Sequence, residues 1–348
     1  MPRVVGIDPG TVSIDVCGLS GGQLVIDRSW PTAEALADPA GFAAALSVHG
    51  IPDLVAGLSG YGLPLCRAAE TSDHNLRLAF LARKGEQGGI GGLRLLARSL
   101  ADAGLPLVML PGVIHLDTVP EYRKINRIDL GTSDKLCAAA LGIYDQAQRL
   151  GAHARDTTFV LLELGGAFTA AIAVQRGQVV DGIGGSSGPI GWQAAGALDG
   201  VVAHLAGTVD KAMLFQGGVT TVAASDRHAA GAGFDAFIEG AVKAVRQLLV
   251  SAPLASEVLV SGRIASDPAV RERLSAALGD LGPVRHLTGF ASHGKQGAQG
   301  AALLADGLAG GRHRELVETM RIREASGTAL DHLYVVTPDA ARHALELA

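Results

Sequence analysis

Val5-Gly6-Ile7-Asp8-Pro9-Gly10-Thr11 returns 155 residues later as Val160-Leu161-Leu162-Glu163-Leu164-Gly165-Gly166. The offset persists downstream, where Gly22-Gln23-Leu24-Val25 returns as Gly177-Gln178-Val179-Val180. Asp8 falls on Glu163, Gly10 on Gly165, Gly22 on Gly177 and Gln23 on Gln178. Each copy reads as strand, acidic residue, glycine turn, strand, glycine turn, strand. Two such hairpins facing each other make a two-jawed site with a carboxylate and a glycine turn on each side. Glycine lets a backbone approach a phosphate closely, and carboxylates are donors that Mg²⁺ accepts. The repeat therefore predicts a grip on Mg²⁺ and a polyphosphate. Asp8 and Glu163 are the metal residues of this reading. Gly10, Gly165 and Gly166 line the phosphates, with hydroxyls offered by Thr11 and Ser13.

A chain of 348 residues suggests two domains. The repeat divides it at 1–150 and 151–333, with 334–348 as a peripheral tail. Hydrophobic residues make up 48% and aromatics only 4%, so alanine, valine, leucine and glycine must build the core. Strand and helix patterns alternate in each half, which is the α/β class. The net charge of −5 argues against a nucleic-acid partner. Cys17, Cys66 and Cys137 lie far apart and read as small buried hydrophobes in a reducing, cytoplasmic compartment. The longest apolar run, 159–174, is interrupted by Glu163 and is short of the roughly 18 residues of a membrane span.

Helices are predicted at 133–150, at 268–278 with Asp267 as N-cap, and at 296–308, whose alanines and glycines imply close packing. Asp38 and Pro39 mark another helix start. Residues 67–92 read as polar, then glycine-rich, without a regular element. A third chemical element is Val258-Leu259-Val260-Ser261-Gly262-Arg263-Ile264, a strand entering a glycine turn. Such a turn lets an adenine or ribose lie against backbone, with Ser261, Gly262 and Arg263 bordering it.

These three elements, in this order, resemble the superfamily of acetate kinase, sugar kinases, heat-shock ATPases and actin, over nearly the whole chain. The resemblance implies two ribonuclease-H-like (actin-like ATPase) domains around a nucleotide cleft, with ATP and Mg²⁺ as cofactors. Asp8–Ser13 resembles the first phosphate motif. Glu163–Thr169 resembles the second, with Glu where Asp is usual, which implies Thr169 among the nucleotide residues. Ser261–Ile264 resembles the adenosine motif, with Arg263 where a second glycine is frequent.

The middle of the chain is similar to acetate kinase more closely. His115-Leu116-Asp117-Thr118-Val119-Pro120 resembles the segment whose Asp acts in phosphoryl transfer to a carboxylate. Asn126–Lys135 resembles the following Gly-Thr-Ser motif near the phosphates, which implies a role for Thr132. The whole chain is similar to a poorly characterised, mostly archaeal family labelled predicted butyrate kinase. The resemblance thus implies a small carboxylate acceptor, with Asp117 and Asp8 as catalytic residues and a homodimer as one assembly. Acetate kinase presents arginines to the reacting groups, but the comparable stretches here, 58–63 and 188–199, contain none. Phosphoryl transfer needs positive charge around the equatorial oxygens, and Arg123 and Arg127 are the candidates to supply it. The missing arginines favour the rival reading, an ATP-hydrolysing enzyme or activator of the same fold that is not a kinase.

Overall fold

The structure is a computed structural model and describes residues 1–10, 12–86, 90–225 and 231–347. The first sheet begins with an antiparallel meander, β1 (Arg3–Pro9), β2 (Ser13–Ser20) and β3 (Gln23–Pro31). It continues with β4 (Leu54–Gly57) and β6 (Leu107–Met109), both running parallel to β1, and closes on the short edge strand β5 (Cys66–Arg67). The strand order is β3-β2-β1-β4-β6-β5.

The second sheet repeats the plan. Its meander is β7 (Thr158–Leu164), β8 (Thr169–Gln175) and β9 (Gln178–Ile183), followed by the parallel strands β10 (Val258–Ser261) and β11 (Val284–His286), in the order β11-β10-β7-β8-β9. The repeat extends to register. Asp8 pairs with Asp15 and Pro9 with Ile14; Glu163 pairs with Ala170 and Leu164 with Thr169. The bulge at Gly18/Leu19 returns at Ala173/Val174, again 155 residues on. The tight turn with positive φ at Gly21 and Gly22 returns at Arg176 and Gly177, the left-handed pair that a two-residue hairpin requires.

Two helices join the sheets. Ser133–Leu150 packs on β7 and β8, Gln296–Leu308 packs on β1 and β2, and the two pack on each other. The alanine- and glycine-rich composition is what permits this approach. A Cβ on Gly300 would lie 1.7 Å from the Cys137 carbonyl oxygen, and one on Gly6 2.2 Å from the Ala302 nitrogen. One core is shared by both sheets around this helix pair, with Val4, Leu54, Leu141, Phe159, Ile172 and Ala301 among its members. Separate cores lie on the outer face of each sheet.

The three predicted helices 133–150, 268–278 and 296–308 have the expected bounds. Asp38 accepts from the Gly41 amide and Asp267 from those of Ala269 and Val270, as caps. The stretch 67–92 holds a helix that composition hid, Asp73–Ala79, capped by the Ser72 hydroxyl. Its Arg77 donates to the carbonyls of Leu345 and Glu346 and so ties down the chain's end, where Leu347 is buried. Cys17 and Cys137 are buried and Cys66 is half-buried; all three are free thiols. Among the described residues no helix is long and apolar enough to cross a membrane.

Candidate functional site

The two hairpin tips close in the same way. The Gly10 amide donates to the Ser13 carbonyl at 2.9 Å, and the Gly165 amide to the Phe168 carbonyl at 3.0 Å. The Thr32 hydroxyl secures the first tip by donating to the Gly10 carbonyl. Asp8 ends β1 and is only 8% exposed. The first turn of the Gln296–Leu308 helix lies directly on it: a Cβ on Gly297 would be 2.6 Å from Asp8 Oδ2. Glu163 is the next-to-last residue of β7, paired with Ser261 on β10.

The N-terminus of the Ser133–Leu150 helix brings Asp134 and Lys135 to Glu163. Lys135 Nζ is 2.5 Å from Asp134 Oδ2 and 2.6 Å from Glu163 Oε2. The Thr132 hydroxyl donates to Asp134 Oδ1, so Thr132 positions that carboxylate. On the first jaw, Lys295 immediately precedes the other interior helix. Its Nζ is 2.6 Å from Asp15 Oδ2 and donates to Ser13 Oγ at 2.8 Å, while Ser13 Oγ donates to Asp15. Asp27 on β3 accepts from the amides of Ser292, His293 and Gly294 and so fixes the loop that presents Lys295.

Electrostatics separate these groups. Burial and the neighbouring Asp134 raise the Asp8 carboxyl to about 7, and the two lysines only partly counter this. Burial raises Glu163 as well, with Lys135 pulling it back. Burial also pushes Asp134 up, but Lys135 and the Thr132 hydroxyl outweigh it and hold that carboxyl below the usual range. The same two carboxylates raise the Lys135 ammonium well above its ordinary value against the effect of burial. Fully ionised, Asp8, Asp15, Asp134 and Glu163 exceed Lys135 and Lys295 by two negative charges. Among the described residues, no side-chain hydrogen bond or ion pair holds Asp8.

This arrangement fits a divalent cation carrying a polyphosphate. One carboxylate is buried and unpaired, the charge surplus equals one divalent ion, and the N-termini of both interior helices favour anions. No group of three or more His, Cys, Asp or Glu is arranged to cage a metal among the described residues. That accords with Mg²⁺, which takes one or two carboxylates and completes its shell from phosphate and water.

The other predicted residues divide. Gly165 and Gly166 stand at the second tip, and nothing lies within 4 Å of a Cβ placed on Gly166. Ser261 is fully buried, and its hydroxyl has no hydrogen-bond partner among the described residues. Gly262 has φ +93°, and a Cβ there would lie 2.4 Å from the Leu164 carbonyl oxygen. Backbone packing of the third element on the second hairpin therefore requires a bare α-carbon here. Arg263 is exposed beside it. Thr169 is buried, and its hydroxyl donates to the Ile190 carbonyl. Thr11 lies outside the described residues.

Two predicted residues, Asp117 and Arg123, stand away from the glycine tips. Asp117 is on the surface, held by both Nε and Nη2 of Arg321. The Thr118 hydroxyl donates to the Val179 carbonyl, and Arg123 donates to that of Val180 and pairs with Asp181. The register puts Val179 level with Phe159, four residues below Glu163 along the sheet, or about 13 Å. Asp117 and Arg123 thus belong to the end of the second sheet opposite the glycine tip. Arg127 is exposed, and its side chain has no hydrogen bond or ion pair among the described residues. His115 is buried beside the Gly112 carbonyl; burial lowers it to about 4, so it is a neutral structural residue. The loop 184–189 is fastened by Asp129, which accepts from the amide and hydroxyl of Ser186.

The cationic side chains beside Glu163 and Asp15 are lysines, Lys135 and Lys295, with Asp134 as a further partner of Lys135. In the sequence Asp134 and Lys135 close the segment that resembles the Gly-Thr-Ser motif, without roles of their own, while Asp15 and Lys295 stand in no motif. Asp15 had a signal: it lies just past the hairpin tip, directly opposite Asp8, and directly opposed residues share a sheet face. A cavity of about 580 Å³ beside β5, lined by Leu65, Arg67, Thr71 and Arg323 among others, shares no residue with this cluster.

No curated protein sequence matches the chain. Among solved structures it is similar to the acetate kinase of Porphyromonas gingivalis, with 13% identity and a TM-score of 0.55 over 81% of this chain and 88% of that one. It is similar also to the acetate kinase of Entamoeba histolytica, with 10% identity and a TM-score of 0.54 over 80% and 87%. The fold is the two-domain actin-like ATPase fold. Residues 6–335 match the family described as protein of unknown function (DUF1464), and the chain belongs to that family.

Proposed function

We propose that the protein is an ATP-dependent, Mg²⁺-requiring phosphotransferase with a small carboxylate acceptor, of the butyrate- or acetate-kinase kind. The observation that carries the reading is the unpaired, buried Asp8 facing the Lys135–Glu163 pair between two helix N-termini. Asp8 and Glu163 are the residues to hold Mg²⁺, which when bound neutralises charge on the transferring phosphates. Gly10, Gly165 and Gly166 line the phosphates, and Ser261, Gly262 and Arg263 border the nucleoside. Lys295 and Lys135 supply the cationic groups that stabilise the reacting oxygens. The carboxylate acceptor is supported by the likeness of 115–120 to acetate kinase and by the shared fold.

A second reading, ATP hydrolysis without a carboxylate acceptor, is favoured by one observation. Asp117 and Arg123 stand at the far end of the second sheet. A hydroxylamine trap for acyl phosphate, run with ATP-Mg²⁺ and straight-chain acids from acetate to hexanoate, separates the two. Hydroxamate from one of these acids is expected. Inorganic phosphate alone would favour the hydrolase, and no nucleotide binding in calorimetry would overturn both.

A further inference from the structure

We propose that Lys135 is a built-in substitute cation, which keeps the divalent ion out of the cleft until a polyphosphate arrives with it. The proposal rests on the nucleotide reading above and adds an order of events to it. Lys135 Nζ sits between Asp134 and Glu163 at ion-pair distance from both, with its side chain only 17% exposed. Of the two hairpin carboxylates, Glu163 is therefore already bridged to a lysine, while Asp8 has no such partner among the described residues.

The consequence depends on what enters. A bare divalent cation finds Asp8 free but Glu163 covered. A bare polyphosphate meets a cleft with surplus negative charge. A cation and polyphosphate together offer each group a partner: Glu163 faces the cation, and the ammonium turns to the phosphate oxygens. Lysine suits this exchange, because its compact charge rides on a flexible four-carbon stem with rotatable donors. Lys295 does not share the role. It is bound to Ser13 and Asp15 on the first jaw alone, on a loop fixed by Asp27. Removing one partner of a buried pair leaves the other charge uncompensated, so without Lys135 the carboxylates Asp134 and Glu163 must seek another cation.

The test is Mn²⁺ binding without nucleotide, read by electron paramagnetic resonance. Lys135→Met is expected to bind Mn²⁺ on the order of tenfold more tightly than the wild type. Lys135→Arg keeps the charge and should stay close to wild type. Lys295→Met removes the same charge from the first jaw without opening the Lys135–Glu163 bridge, and so sets the scale of a charge effect alone. Equal Mn²⁺ affinity in Lys135→Met and the wild type, or in Lys135→Met and Lys295→Met, would overturn the proposal. If metal-free Lys135→Met folds poorly, the rise of its melting temperature with Mn²⁺ replaces the affinity. A rise larger than that of the wild type supports the proposal, and an equal one overturns it. Calorimetry with Mn²⁺-ATP tests the underlying reading separately. Absent nucleotide binding with the Mn²⁺ effect intact would sink the nucleotide assignment and leave the substitute cation standing.

Discussion

The two hairpins share topology, register, bulge position and tip hydrogen bond, yet they are not chemically alike. Asp8 is unpaired and opposed across the ladder by another carboxylate, Asp15; Glu163 is paired with Lys135 and opposed by Ala170. Ser13 holds its hydroxyl against Lys295, whereas Thr169 donates to a structural carbonyl. Duplication therefore supplies the frame of the cleft, and the departures from duplication supply its polarity. Each jaw holds two carboxylates and one lysine, but Asp8 on the first has no ion pair or side-chain hydrogen bond among the described residues, whereas Glu163 on the second is bridged by Lys135. A metal should accordingly depend more on the first jaw.

That asymmetry makes the largest prediction. Asp8→Ala should reduce ATP turnover by on the order of 10²-fold or more, through lost metal positioning. Glu163→Gln should cost roughly tenfold, since its partner Lys135 remains to face the phosphates. Equal losses in steady-state assays would erase the proposed difference between the jaws.

Glycines offer a second way to break the comparison. Gly262→Ala forces a Cβ into the Leu164 carbonyl at a positive φ, a strain of about 1–3 kcal/mol or more. It should lower the melting temperature by several degrees. Gly166→Ala meets nothing within 4 Å. It should leave the melting temperature nearly unchanged while weakening ATP binding in calorimetry. A stable Gly262→Ala protein that has lost only nucleotide affinity would return Gly262 to the ligand.

The charge difference also has a pH signature. The Asp8 carboxyl is raised in the fold to about 7 from 3.8, so its neutral form is favoured there. Rising pH between those values destabilises the metal-free fold through this group, because the unfolded chain ionises first. A divalent cation needs the carboxylate, so Mn²⁺-nucleotide affinity should rise with pH and level off above about 7. Asp8→Asn should flatten that limb. An unchanged pH profile in Asp8→Asn would assign the titration to another group.

Much of this was legible in the chain because duplication writes the same pattern twice. Asp8, Gly10, Glu163 and Gly165 stood out by their spacing, and caps such as Asp267-Pro268 marked helix starts with local chemistry. Lys135 and Lys295 were not legible as site residues, because the deciding contacts cross the fold: Lys135 reaches Glu163 on β7, and Lys295 reaches Ser13 and Asp15 from the far end of the chain. No local pattern announces such a pair. The helix Asp73–Ala79 was hidden for a related reason, since it buries a short face, Leu76 to Ala79, against a core assembled from elsewhere. Asp117 is the opposite case: its motif is conspicuous in the sequence, and the fold places it beside Arg321, next to a segment that meets Val179, away from the glycine tip of the second sheet.

The smallest predicted effect follows from that placement. Asp117 and Arg321 are partly exposed, at 33% and 46% of their side chains, and exposed ion pairs are worth about 0–1 kcal/mol. Asp117→Asn should therefore lower stability by no more than about 1 kcal/mol in urea unfolding. Lying roughly 13 Å down the sheet from the Glu163 level, it should leave ATP turnover within about threefold of wild type, since a group outside the reacting shell changes the barrier only slightly. Arg321→Ala should behave in the same way, because it removes the same pair from the other side. A hundredfold loss of turnover in Asp117→Asn with unaltered stability would mean that the domains rearrange to bring this segment to the phosphates. The present division between a catalytic tip and a structural base of the second sheet would then fail.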